Sequence, residues 1–471
     1  MNFRDFILNL PEVIKPAEKK LSFNTKLKWT IIILASFFTL ANIPLFGLAT
    51  NALERFEYLA IIFGTDFGSV ISLGIGPIVM ASIILQLLAG SKILNVDLKT
   101  SAGKEYFQGL QKLLTYFFIV FEAMIYVLMK GLQASPGMET IMIVQLVIGG
   151  VLIMFMDEVS TKYGFGSGVS LFIVAGVGWR LFTQAFGFMG PGGQLQYSGR
   201  VLVFFISIAG GDATGALKAL ATVAVTIFIF LVVVWAQSIK VEVPLSFEKI
   251  RGFAIKWPLA FFYTSVIPVI LAAALMANVQ LFARLAENSA NSCLLGDCGI
   301  GGKIASGMGW LGKFNSQGMA ESGLSFWISA PHPTIIEAII TGSFRWISLL
   351  QAFTHLLFFV AFSVLFAVFW VRTSGMDARN QAEQILSSGL HIPGFRRDPR
   401  ILESILSRYI LPLTVMGGAA IGILASVADM LGALVSGTAI LLGVMIIYKM
   451  YQDISQQHAV DMHPMLRKSM K

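Results

Sequence analysis

Chemistry needs nucleophiles, bases or metal ligands at workable spacing, and this sequence offers few. The five histidines, His332, His355, His391, His458 and His463, form no H-E-x-x-H pattern, and no nucleophile elbow places a serine on a strained turn. His355 falls inside a long apolar run with no carboxylate beside it in sequence, which reads as a packed or interfacial histidine. The only cysteines, Cys293 and Cys298, stand as C-x4-C in a polar, Gly-rich stretch. Two cysteines exclude a disulfide framework and a zinc ribbon, and they leave a small loop-closing disulfide and two free thiols both open. No Gly-rich phosphate loop stands between a strand and a helix, so nucleotide hydrolysis has to come from elsewhere. No metal or cofactor is expected, and the chain is not expected to be an enzyme.

What remains is the chemistry of exclusion. Ile75 and Val79 are four apart and share a helix face, and Val169 and Ile173 repeat that spacing. Branched aliphatics so spaced are ordinarily plain core, but a hydrophobic constriction can also gate a pore by expelling water. The first pair is set apart by its surroundings, ISLGIGPIVMASIILQLLAG over residues 71–90. That run carries no charge and is about long enough to cross a bilayer, yet it opens with Gly74, Gly76 and Pro77, which delay a helix. The stretch before it, 54–68, is semi-polar and too interrupted to span alone. A helix that starts partway through lipid needs protein or water at its loose end. This stretch is therefore expected to line a cavity.

The elements that hold it are membrane spans. A composition 56% hydrophobic and only 13% charged is not that of a soluble chain. Ten apolar runs are predicted as helices, at 29–50, 71–90, 110–131, 138–157, 168–187, 217–238, 258–282, 347–371, 404–426 and 433–452. An even count puts both ends on one side. Most of the 34 lysines and arginines fall on the terminal segments and the loops of that side, which makes it cytoplasmic. Residues 1–28 read as an amphipathic surface segment rather than a cleaved signal, and 453–471 as a cytoplasmic tail. The outward loops are 188–216 and 283–346, the second holding HPTIIEAIITG as a short surface or re-entrant helix. Gly76 to Ser82 in the second span also reads like Ile267 to Ala273 in the seventh. A shift of five spans reverses direction, the mark of an inverted repeat, with five-helix halves at 29–190 and 217–452.

Two further signals separate function classes. Glu122 and Asn278 are the clear mid-span polar groups, sparse for an ion-coupling site but ample for a helix–helix hydrogen bond. An ion-coupled secondary transporter is the alternative reading of broken helices and inverted repeats. Its difficulty is that the break at Ile75, Pro77 and Val79 is aliphatic. The cytoplasmic loops 239–258 and 372–403 carry Arg251, Lys256, Arg396 and Arg397 near Gly or Pro turns, a docking chemistry suited to a polyanion such as RNA.

Together these residues resemble the SecY family of protein-conducting channel subunits, over nearly the whole chain. The likeness is carried by LGIGPIVMASIILQLL (73–88), DEVSTKYGFGSGVSLFIVAGV (157–177), TSVIPVILAAALMAN (264–278) and LPLTVMGGAAIG (411–422), and is nearest the archaeal and eukaryotic branch. The resemblance implies an all-α polytopic membrane protein, ten helices in two inverted halves around an hourglass pore. It implies a pore ring of Ile75, Val79, Val169, Ile173, Ile270 and Leu413, with Val169 smaller than the isoleucine common there. A plug would occupy about 54–68, with Phe56, Leu59, Ile61, Ile62, Phe63 and Phe67 under the ring. Spans 2 and 3 against 7 and 8 would form a lateral gate with Glu122 and Asn278 in its polar cluster, Met80 replacing a family threonine. Arg251, Lys256, Arg396 and Arg397 would dock the ribosome. Implied partners are a SecE-type subunit, a Sec-beta subunit, signal sequences, nascent polypeptides and membrane lipid.

Overall fold

The computed structural model describes residues 7, 10–17, 21–51, 67–90, 93–94, 100–129, 131–188, 197–247, 254–264, 267–294, 309–315, 319–387, 390–391 and 399–462. Helix α1 (Phe23–Ala41) is opened by Ser22, whose hydroxyl oxygen accepts the Thr25 N–H. It ends short of the expected edge at 50, because Asn42 caps it and Pro44 follows. Residues Leu48–Asn51 form a strand instead, β1, paired with β2 (Leu132–Ala134).

Helix α2 (Gly76–Gly90) is the broken element. Its 15 residues reach about 22 Å, short of the roughly 30 Å hydrocarbon core. The backbone before it is satisfied by protein: Val70 N–H donates to Ile43 O and Leu45 N–H to Gly68 O, both at 2.9 Å. Ile71, Leu73 and Ile75 in that entry are wholly buried. The expected loose end is therefore wrapped in protein by the turn after α1.

The other long helices follow in order: α3 (Ser101–Leu128), α4 (Glu139–Tyr163), α5 (Gly168–Phe186), then short α6 (Arg200–Ala209) and α7 (Ala213–Gln237). Next come α8 (Ile267–Leu294), the short α9 (Leu324–Ile328) and α10 (Ile335–Thr341), α11 (Trp346–Thr373), α12 (Ala378–Ser387), α13 (Pro399–Leu431) and α14 (Gly437–Met462). Among the described residues seven helices, α3, α4, α5, α7, α8, α11 and α13, are long and apolar enough to cross a membrane. With α1, α2 and α14 at the remaining expected positions, the fold has ten crossings. The short helix expected at HPTIIEAIITG is α10, closed by Gly342 in a left-handed conformation at φ 67°.

One boundary is corrected. The seventh span was expected from 258, but 254–260 is strand β4, and the helix starts at Ile267. β4 pairs antiparallel with β3 (Lys240–Phe247), which also pairs with β5 (Leu390–His391). Lys256 and Pro258 are poor residues for an apolar helix start and tolerable at a sheet edge. This sheet joins the two long basic loops side by side. Tyr263 anchors it, donating its hydroxyl to Met376 O at 2.7 Å, and burial pushes that phenol up to about 12. At the same end, Glu12 pairs with Lys162, whose hydrogen bond holds that carboxyl below the usual range.

The inverted repeat is visible in helix starts. α2 and α8 each carry proline at their second residue, Pro77 and Pro268, where a missing N–H costs nothing. α5 and α14, one per half, meet where Val177 packs on Gly443. A single buried cluster runs through both halves. A second, smaller one joins Leu259 and Tyr263 to α11, α12 and α13.

Candidate pore and lateral gate

α2 is packed against α3 on one side and against α8 and α11 on the other. Those are the helices of expected spans 2, 3, 7 and 8. Beside them lies a cavity of about 600 Å³. Its apolar lining includes Val79 of α2, Val169 of α5, Ile270 of α8, and Ile446 and Met450 of α14. Its polar wall carries Ser82, Gln86, Gln111, Lys104 and Asp157. Gln111 Nε2 donates to Ser82 Oγ at 2.7 Å, tying α3 to α2, while the buried Gln86 Oε1 has no partner. Polar groups and branched aliphatics thus line one chamber.

Val79 and Ile270 are each the fourth residue of their helices, two places after the repeated prolines. Both are buried at the cavity edge, and the half-buried Val169 joins them there. Ile75 and Ile173 are fully buried behind, in the same apolar cluster. Leu413 is the exception. It packs with Leu402, Leu406 and Ile410 on the face of α13 turned to Leu259, Tyr263 and Val371, in the second cluster near the strands. Helical spacing puts those four α13 residues on one stripe, in a different cluster from the one that holds the other five. The tenth crossing, α14, lines the cavity in its place.

Glu122 on α3 and Asn278 on α8 are both buried, 1% and 2% exposed, each with a side-chain oxygen that has no partner among the described residues. Asn278 Nδ2 donates to Ala274 O of its own helix at 2.8 Å, and among the described residues no hydrogen bond joins it to Glu122. Unsatisfied buried oxygens of this kind cost roughly 1–3 kcal/mol each. Met80 is half-buried against the central cluster.

Of the plug residues, Phe67 is described: it is buried and its ring lies 6.4 Å from that of Tyr126. Phe56, Leu59, Ile61, Ile62 and Phe63 lie outside the described residues, as do Arg251, Arg396, Arg397 and Cys298. Cys293 falls in the last turn of α8. Lys256 sits in β4 opposite Pro244.

No carboxylate stands near His355 in sequence. The structure supplies one in Asp429 of α13, 3.6 Å from Nε2, while Nδ1–H donates to Ile328 O at 2.6 Å. Gln351 and Thr354 of α11 likewise hold Phe326 and Trp327 through their carbonyls, and Gln280 of α8 donates to Ser329. The short α9 is a strap across α8 and α11.

The sequence matches the SecY family over residues 69–451. The chain belongs to the SecY family. It is 43% identical over 464 residues to the protein translocase subunit SecY of Methanothermobacter thermautotrophicus, covering 97% of this chain and 96% of that one. It superimposes on a solved protein-conducting channel with a TM-score of 0.81 at 35% identity, over 98% of this chain and 99% of the other. Sec61 in a canine ribosome–channel complex from the endoplasmic reticulum matches at 0.77 and 34%, again over 98% and 99%. The polytopic helical fold with two inverted halves around a pore is therefore that of SecY channels.

Proposed function

We propose that this protein is the pore-forming subunit of a protein translocase. It passes unfolded polypeptide across the cytoplasmic membrane and releases apolar segments sideways into lipid. The observation that carries the reading is one cavity of mixed polar and apolar lining that gathers Val79, Val169 and Ile270, aliphatics from three helices of both halves. A channel for arbitrary sequence cannot read side chains, so its constriction has to be bland and deformable, and such a collar also excludes water when idle. Ile75 and Ile173 complete it from behind. Both α5 and α14 begin with glycine, Gly168 and Gly437, and counting from these Leu442 of α14 is the equivalent of Ile173. Leu442 is fully buried in the same cluster, so it takes the sixth place in this reading.

Residues 54–68 serve as a plug, and the lateral gate opens between α2–α3 and α8–α11, where Glu122 and Asn278 find partners. Both termini face the cytoplasm. The β3–β4–β5 sheet joins the two basic loops there, and Arg251, Lys256, Arg396 and Arg397 serve to dock the ribosome, a reading supported by the likeness to Sec61 in a ribosome–channel complex. A SecE-type and a Sec-beta subunit complete the assembly. The ion-coupled transporter would share the broken helix and the inverted repeat, but the residues at the break, Ile75, Pro77 and Val79, are aliphatic. Proteoliposomes holding the assembled complex test the reading. Ribosome-delivered preprotein should become protected from added protease, whereas gradient-driven uptake of a small solute by this chain alone would overturn it.

A further inference from the structure

We infer that Asp157 is a positioning residue for the constriction: its carboxyl fixes the start of α5 and so sets where Val169 stands. The inference rests on Val169 belonging to the collar. Asp157 lies in the last two turns of α4, on the cavity wall. Its Oδ1 accepts the backbone N–H of Val169 at 3.0 Å and the Ser167 hydroxyl at 3.2 Å. The bond therefore runs to the main chain of a residue whose side chain lines the pore. A helix start has orphan N–H groups that such an acceptor satisfies. Here the acceptor comes from the neighbouring helix, so it also ties α5 to α4.

The other half repeats the device. Asp429 sits near the end of α13, and its Oδ1 accepts the backbone N–H of Thr438, the second residue of α14, at 2.8 Å. Val169 is the second residue of α5. The Thr438 hydroxyl bonds the other oxygen of Asp429. In both halves the first residue of the capped helix is a glycine with no room to be anything else. A Cβ on Gly168 would stand 2.6 Å from Asp157 Cα, and one on Gly437 2.1 Å from the Ala428 carbonyl carbon. α4 and α13 are the fourth and ninth crossings, so the two carboxyls act on opposite faces of the membrane. Two independent copies of one arrangement, each at the entry to a pore-lining helix, point to selection of the helix position rather than to a chance cap. The copies differ in one respect: Asp429 also faces His355, and among the described residues Asp157 has no charged partner.

The test measures ion leak through the idle complex in planar bilayers, with the thermal midpoint of the purified complex alongside. Losing a buried acceptor shifts a local equilibrium by about tenfold, and Asp157→Ala is expected to raise the leak by about that factor. Asp157→Asn keeps an acceptor oxygen in place and should restore most of the seal. Asp157→Glu misplaces the acceptor by one methylene and should leak. It asks the same question if the alanine variant does not fold. Val169→Gly is the reference for the collar itself. A leak from Val169→Gly with none from Asp157→Ala or Asp157→Glu would overturn the positioning role, as would an Asn variant that leaks as much as Ala. No leak from Val169→Gly would instead remove Val169 from the collar. A fall in thermal midpoint with an unchanged leak would mark Asp157 as a merely structural cap.

Discussion

Helices α7 and α8 are both apolar, and they are used in opposite ways. α7 carries Phe228, Phe230, Leu231 and Trp235, all exposed by about half or more, and only 33% of its apolar window is buried in protein. α8 carries Ala272, Ala273, Ala274 and Ala277, all essentially inaccessible, and 78% of its window is buried. Lipid tails are as apolar as leucine, so nothing drives large aliphatics out of contact with the bilayer. Small residues let backbones approach, so they mark the helices at the centre of the protein. In this chain bulk marks the outer surface of the bundle, and smallness marks close packing at its centre.

Substitutions that exchange these roles should have unequal costs. The largest effect is expected from Ala273→Phe in α8, where the added ring has no space. Overpacking of this kind costs roughly 1–3 kcal/mol, and the thermal midpoint of the detergent-purified protein should fall accordingly. A smaller effect of opposite sign is expected from Asn278→Leu on the same helix. It removes a buried unpartnered oxygen, so the closed form should gain about 1 kcal/mol, seen as a raised midpoint with slower preprotein transport. The smallest change belongs to α7: Phe228→Ala exchanges one lipid-facing group for another and should stay within about 0.5 kcal/mol. Equal midpoints for Ala273→Phe and Phe228→Ala would dissolve the contrast between the two helices.

Much of this architecture was legible in the sequence. Gly74, Gly76 and Pro77 announced a helix that starts late, and α2 does start at Gly76. The likeness of Gly76–Ser82 to Ile267–Ala273 was the start of two repeated helices, down to the shared proline. What stayed hidden depended on rotation about a helix axis. Leu413 lies in an apolar run whose every face is greasy, so periodicity could not show that it turns toward Leu259 and Tyr263. The tenth helix was missed as a pore wall for the same reason, since Ile446 and Met450 look like any membrane residues. The pairings of His355 with Asp429 and of Asp157 with Val169 join separate elements, and no local spacing reports them. The end of β4 was read as helix because Leu259 and Ala260 are apolar in either conformation.

The central claim is that translocating polypeptide passes Val79 and Ile270 and not the lipid face of α7. Arresting a preprotein partway through the assembled channel, with single cysteines at Val79, Ile270 or Phe228 and one in the arrested segment, tests it directly. Disulfide adducts are expected from Val79→Cys and Ile270→Cys and none above background from Phe228→Cys. Adducts at Phe228→Cys, with the other two silent, would contradict the account.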